Sequence, residues 1–191
     1  MNKSKTSLSH PLEIAELATG TGPGKIGVTF APGKYDPSGL AGSWDRDLAT
    51  DLDRIADWGA NLVLTLLEDH ELTLLRIPNL GHEVLRRNME WVHLPIPDVS
   101  APTADFDKEW PAQSERLRKK LHDGANIVIH CRGGIGRACM VAARLLVELG
   151  DAPDVAIAKV RAARHPRAVE TLEQERWVAN GPRTLPRKPR A

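Results

Sequence analysis

Two hydrophobic periods alternate along the chain. Lys25-Ile26-Gly27-Val28-Thr29-Phe30 steps in twos, the spacing of a strand. Leu48, Leu52, Ile55 and Trp58 recur at helical intervals, and Gly59 stops that helix. Leu62 to Leu67 is an apolar run broken only by Thr65 and ended by Glu68-Asp69, which predicts a buried strand. Glu71–Leu75 and Asn79–Arg87 suit short helices, and Trp91–Leu94 suits a strand broken by Pro95 and Pro97. Phe106–His122 predicts a helix in which Pro111 is a point of kinking or restarting, with Gly124 ending it. Asn126–Ile129 is another buried strand, followed by helices over about 137–149, 153–164 and 170–179. Residues 31–44 are punctuated by glycine and proline and suit a loop.

Strands alternating with helices predict an α/β fold. Its core is a central, mostly parallel sheet of about four to five strands with helices on both faces, a three-layer sandwich. Residues 1–24 are expected to form a loose arm with one helical turn near Leu12–Leu17, residues 25–180 the domain, and residues 181–191 a disordered Pro- and Arg-rich tail.

Composition narrows the function classes. With 191 residues and 41% hydrophobic content the chain supports one domain with a real core. A net charge of +1 argues against a nucleic-acid binder. Two cysteines are too few for a disulfide framework. No apolar run is long enough to span a membrane, and the first residues lack a signal-peptide core, so a cytoplasmic protein, expected to be monomeric, is the default. The histidines outside the motif described next show no metal-ligand spacing, so neither metal nor cofactor is expected.

The chemistry concentrates in His130-Cys131-Arg132-Gly133-Gly134-Ile135-Gly136-Arg137, between the last strand and a helix. Backbone N–H groups of a glycine-rich turn can all point at one anion, and the start of the next helix adds its partial positive charge. The candidate phosphate-binding segment is therefore Arg132, Gly133, Gly134, Ile135, Gly136 and Arg137, with Arg137 able to grip two phosphate oxygens. Cys131 at the centre of that positive field is favoured as thiolate, the nucleophilic form. Arg132 is either a second cation for acidic substrates or a solvent-facing side chain, and Cys139 is read as a small core residue. A departing alkoxide needs a proton, and Asp98, following two prolines on an irregular segment, is the candidate acid. Asp105 and Asp107 are the alternatives, in a first helical turn where acids commonly just complement the dipole.

His-Cys-x-x-Gly-x-x-Arg resembles the signature of the cysteine-based protein tyrosine phosphatases. The wider chain resembles their small dual-specificity members, especially the kinase-associated phosphatase group, through Leu62–Glu68, Leu94-Pro95-Ile96-Pro97-Asp98 and Val169–Gln174. The resemblance implies hydrolysis of phosphomonoesters through a phosphocysteine intermediate, with phosphoproteins as substrates and no cofactor. A lipid or small-molecule phosphatase and a non-catalytic phosphate-binding module are the alternatives. It also implies that Asp98 stands at the family's acid position, that His130 supports the loop, and that Gln174, with Glu170 one turn earlier, lies near the water that hydrolyses the intermediate. Ala138 departs from the family's Ser or Thr, whose hydroxyl would bond the departing sulfur, and this puts turnover rather than first attack in question.

Overall fold

The computed structural model describes residues 4–39 and 42–181. β1 (Ala15–Ala18) and β2 (Lys25–Phe30) lead to the two-residue strands β3 (Tyr35–Asp36) and β4 (Trp44–Asp45), then α1 (Leu48–Asp57) and β5 (Ala60–Thr65). α2 (Asp69–Leu74), α3 (Leu80–Leu85), β6 (Glu90–His93) and α4 (Ala104–His122) follow. The chain then forms β7 (Asn126–Cys131), α5 (Arg137–Glu148), α6 (Pro153–Ala163) and α7 (Leu172–Ala179). β1, β2, β7, β5 and β6 form one sheet in that order, with β2, β7, β5 and β6 parallel and β1 antiparallel at the edge.

The alternation read from the sequence becomes two packed faces. Ile127, Ile129 and Cys131 of β7 point to the layer formed by α4, α5, α6 and α7, while Val128 points to that of α1, α2 and α3. α5 is buried at all twelve positions, so it is a core helix rather than an amphipathic surface one. Each fully buried Leu, Ile or Val contributes about 1.5–3 kcal/mol. That buried helix begins at Arg137, so the glycine-rich turn before it is fixed between the two most central elements of the fold.

Three expectations need correction. The segment expected to be a loose arm carries β1 over Ala15–Ala18, where a helical turn was expected. Leu17 and Leu12 are buried, and β1 pairs with β2 along its full length, because the unpaired edge of β2 offers backbone hydrogen bonds that a lone helical turn cannot match. α4 does not restart at Pro111 but runs from Ala104 to His122 with this exposed proline inside it. The segment expected to be loop over 31–44 holds β3 (Tyr35–Asp36), which pairs antiparallel with β4 (Trp44–Asp45) at its end. The basic tail lies, from Pro182 on, outside the described residues.

Candidate active site

Cys131 is the last residue of β7, at the carboxyl edge where open α/β sheets bind ligands. The turn that follows is held from outside. The Arg132 carbonyl accepts from the Ala31 amide (3.4 Å) and Lys34 Nζ (3.3 Å), and the Gly133 carbonyl from Arg164 Nη2 (3.4 Å). That of Gly134 accepts from Arg164 Nε (3.0 Å) and Cys139 Sγ (3.4 Å), that of Ile135 from the Val169 amide (3.1 Å), and that of Gly136 from the Met140 amide (2.8 Å). Every carbonyl from 132 to 136 is thus engaged, while the amides of Gly133, Ile135 and Gly136 donate to no protein acceptor among the described residues. The Gly134 amide donates to Cys131 Sγ at 3.2 Å. Gly134 has φ +68°, and a Cβ there would stand 2.5 Å from Thr29 O, so only glycine permits the approach.

Arg137 is 1% exposed. Its Nη1 donates to Glu71 Oε2 (2.6 Å) and to the Ile96 carbonyl (2.9 Å), and its Nη2 to Glu71 Oε1 (2.8 Å). Nη2 also lies 2.8 Å from Asp98 Oδ1. Its Nε is buried without a partner among the described residues. A buried guanidinium nitrogen left unpaired beside free amides marks where an anion belongs. Burial works against the Arg137 charge, but the Glu71 fork and the Cys131 sulfur outweigh it, and its pKa is raised further. Burial pushes Glu71 up, yet the Arg137 hydrogen bonds and the Glu68 amide win and hold it below the usual carboxylate range.

Asp98 sits on a turn with Val99 at φ +57°, a strained conformation for a β-branched residue, and its side chain is half exposed. Asp105 and Asp107 lie away from this cavity: Asp105 pairs with Lys108 (2.9 Å), and Asp107 accepts from Trp177 Nε1 (2.8 Å). The sequence pattern set Glu170 and Gln174 one turn apart on one helix, but α7 begins at Leu172, where Thr171 Oγ1 caps the Gln174 amide, and Glu170 precedes it. Gln174 is fully buried, not a surface residue: its Oε1 accepts from the Glu170 amide (2.8 Å), and its Nε2 donates to the Ser100 carbonyl (3.0 Å), tying the Asp98 turn to α7. Burial and then the nearby charge of Asp98 push the Glu170 carboxyl up.

His130 is fully buried, with Nε2 2.8 Å from Thr65 Oγ1, which also accepts from Trp91 Nε1 (2.9 Å). Burial and the charge of Arg137 push its pKa down to about 3, so it is neutral near pH 7 and braces the strand ends. The Arg132 guanidinium neither points free to solvent nor closes on the turn: it donates to Asp36 Oδ2 at 3.0 and 3.2 Å. Cys139 is a buried thiol whose pKa burial pushes up, as a core residue should be. Ala138 is fully buried.

Glu71 and Thr65 were not singled out in the sequence, although they orient Arg137 and His130. In the sequence Glu71 is only the first residue of a short expected helix; in the structure it is also the fourth residue of a capping box with Glu68. A second carboxylate role reaching across the sheet leaves no local periodicity.

Comparison with known proteins agrees with this geometry. A family model described as "PTP-SAK: Swiss Army Knife protein, DSP-PTPase phosphatase domain" matches residues 35–182. Cyclin-dependent kinase inhibitor 3 of Rattus norvegicus is 33% identical over 135 residues, 70% of this chain and 62% of that protein. The Homo sapiens protein of the same name is 30% identical over the same length. The chain therefore spans about 62% of the length of the curated relatives it matches. Among solved structures, kinase associated phosphatase with its catalytic-site cysteine replaced by serine superposes with a TM-score of 0.77 at 26% identity, over 88% of this chain and 92% of that one. Tk-PTP in its active form gives 0.61 at 26% identity over 85% and 92%. With a cysteine and an arginine closing a ring of free amides, and a family match that spans most of its length, this chain belongs to the PTP-SAK family of DSP-PTPase phosphatase domains.

Proposed function

We propose that the protein hydrolyses phosphomonoesters of phosphoproteins in two steps through Cys131. The observation that carries this reading is the ring of outward-held carbonyls from 132 to 136, centred on Cys131 Sγ and closed by the unpaired Nε of Arg137. The phosphate of the substrate lies on the free amides and Arg137. Sγ attacks phosphorus in line, the P–O bond to the substrate breaks, and Asp98 gives its proton to the departing oxygen. A water then attacks the phosphocysteine, loses its proton to Asp98, and the S–P bond breaks to release phosphate and the thiolate. The pentacoordinate oxygens are held by donors already in place, which is where most of the rate acceleration arises.

Glu170, at the cavity wall beside Gly136, is the group we assign to orient that water. Gln174 has both ends of its amide engaged, so we assign it to hold the Asp98 turn. His130 is a brace rather than a proton carrier. Phosphoprotein substrates follow from the similarity to kinase associated phosphatase. We further propose that residues 25–180 carry the chemistry, that the protein works as a monomer, and that it works in a reducing compartment such as the cytoplasm, where Cys131 stays a thiol. No helix among the described residues is long and apolar enough to cross a membrane.

The deciding experiment is Cys131→Ser against an aryl phosphate, with phosphopeptides and phosphoinositides in parallel. Hydrolysis should vanish in the variant while phosphopeptide binding persists. Unchanged turnover would refute the covalent route. A wild type that binds phosphopeptide without turnover would make it a binding module, and turnover of phosphoinositides alone would make it a lipid phosphatase.

A further inference from the structure

The cavity around Cys131 has a volume of about 610 Å3, several times that of a phosphate group, and it extends from the phosphate turn to a second wall that includes Phe30, Lys34, Asp36 and Trp44. Lys34 stands out on that wall. It is 5% exposed, and its Nζ lies 4.8 Å from the Phe30 ring centroid and 4.6 Å from that of Trp44. The ammonium has three N–H groups, and one protein acceptor, the Arg132 carbonyl at 3.3 Å, is in place. No carboxylate among the described residues comes within ion-pair distance of it, whereas neighbouring Arg132 is neutralised by Asp36 and Arg46 by Asp51. A buried cation with no direct ion-pair partner is costly, so such a site is ordinarily completed by an anion.

The ammonium is also held rigidly. The Gly33 amide donates to Asp51 Oδ2 (2.8 Å), the Tyr35 amide to the Leu75 carbonyl (3.0 Å), and the Arg46 amide to the Lys34 carbonyl (3.2 Å). Flanking backbone, aromatic faces and turn carbonyl together fix a positive charge beside the residue that follows the nucleophile.

We propose that Lys34 is a specificity residue that receives a second anion of the substrate, a carboxylate or phosphate on a residue flanking the phosphorylated one. This rests on the phosphatase reading above and deepens it. Arg132, the residue first suspected of this role, already has its partner. A peptide carrying one extra anion suits the cavity better than a polyphosphorylated ring, because Glu13, Asp36, Asp98 and Glu170 alternate with its cations and would repel charge spread over many positions.

Burial lowers the Lys34 pKa to about 8, against the opposing pull of Asp36 and Cys131 and with the help of Arg132 and Arg46. Any preference that depends on this cation must therefore be present below that pH and fade as pH rises through it. The groups that titrate during hydrolysis itself act on all peptides alike and cancel in a ratio of substrates.

The test uses phosphotyrosine hexapeptides with alanine flanks and a set carrying a single aspartate at each flanking position, with wild type, Lys34→Met and Lys34→Arg. At one position aspartate should raise kcat/KM about tenfold, mainly through KM, as expected for one charge-assisted contact. Lys34→Met should abolish that ratio and Lys34→Arg restore most of it. In the wild type the ratio should fall as pH rises past about 8, and in Lys34→Met it should be flat. Thermal melts of both variants show whether they fold, and the wild-type peptide scan and pH dependence need no variant at all. The proposal is overturned if the alanine peptide is hydrolysed but no position gains from aspartate. It is equally overturned if the preference survives in Lys34→Met, if Lys34→Met slows all peptides by one factor, or if a Lys34-dependent gain appears only with inositol bisphosphates. A wild type that hydrolyses no phosphopeptide sinks the underlying phosphatase reading first, a result distinct from all of these.

Discussion

Residues 131–137 and residues 97–100 face each other across Arg137, and their construction differs in kind. The first segment lies between a central strand and a helix buried on every side, and each of its carbonyls from 132 to 136 is held by a donor outside the ring. The second is a surface turn, with Val99 at 61% exposure and a positive φ, tied down by the Ile96 carbonyl to Arg137, the Ser100 carbonyl to Gln174, and Asp98 itself on Arg137. The difference follows from what each must do. An anion ring works only if its donors need no rearrangement when charge develops. An acid must admit the substrate first and then meet the leaving oxygen, so it belongs on a segment of low local stability. Asp98 Oδ1 lies 2.8 Å from Arg137 Nη2, a nitrogen that a bound phosphate would share, so the surface turn and a phosphate would compete for that donor.

The largest test of that contrast removes the support of the rigid side. Glu71→Gln leaves Arg137 buried and unbalanced, so we expect a loss of about 3 kcal/mol in denaturant unfolding. We also expect kcat/KM for an aryl phosphate to fall about a hundredfold, the scale of one misaligned donor. The folded-state pKa of Glu71 is lowered, so its stabilisation is present above the ordinary carboxylate range and is lost as pH falls through the folded value. The stability gap between wild type and variant should accordingly be constant near pH 7 and narrow below about pH 4. A variant of unchanged stability would show that the ring stands without Arg137 being anchored.

Removing the proposed acid acts on the surface turn. Asp98→Ala should lower kcat on alkyl phosphates about a hundredfold or more and on activated aryl phosphates far less, because only the former need a proton. The same change frees Arg137, so inorganic phosphate should inhibit the variant more tightly than the wild type. If phosphate inhibition is unchanged, the Asp98–Arg137 contact does not compete with substrate.

The smallest effect is expected where the two sides are stitched together. Gln174→Ala leaves the Glu170 amide and the Ser100 carbonyl without their partner, a cost of about 1–3 kcal/mol. Alkyl phosphate turnover should drop several-fold and aryl turnover little, a milder copy of the Asp98→Ala pattern. Equal losses on both substrates would mean that Gln174 serves the ring or the water instead of the turn.

The same contrast governs what could be read from the chain. The rigid side was legible because it is local: strand, cysteine, spaced glycines, arginine and helix follow one another, and the structure sets Cys131, Gly134 and Arg137 in one ring in that order. The parallel sheet was legible from apolar runs such as Leu62–Leu67, whose β5 strand is buried at its centre. The groups supplied across space were not. Glu71 reaches Arg137 over 66 positions and Gln174 reaches Ser100 over 74, and neither separation leaves a period to detect. β1 was missed because its reason to be a strand is the exposed edge of β2 rather than anything in its own four residues. Lys34 was not singled out in the Gly- and Pro-punctuated segment 31–44, and only the rings of Phe30 and Trp44, folded over it, make it exceptional.

The donors that hold the turn also impose a schedule. The carbonyls of Gly133 and Gly134 depend on Arg164, and that of Ile135 on the Val169 amide, roughly thirty to forty positions after the nucleophile. At synthesis rates of about 5–20 residues per second, Cys131 is made roughly two to eight seconds before the last of these donors. Until Arg164 and Val169 fold back onto the turn, those carbonyls lack their donors and the clasp that shapes the amides is missing. Translation order thus leaves the shaping of the anion ring to segments made after it.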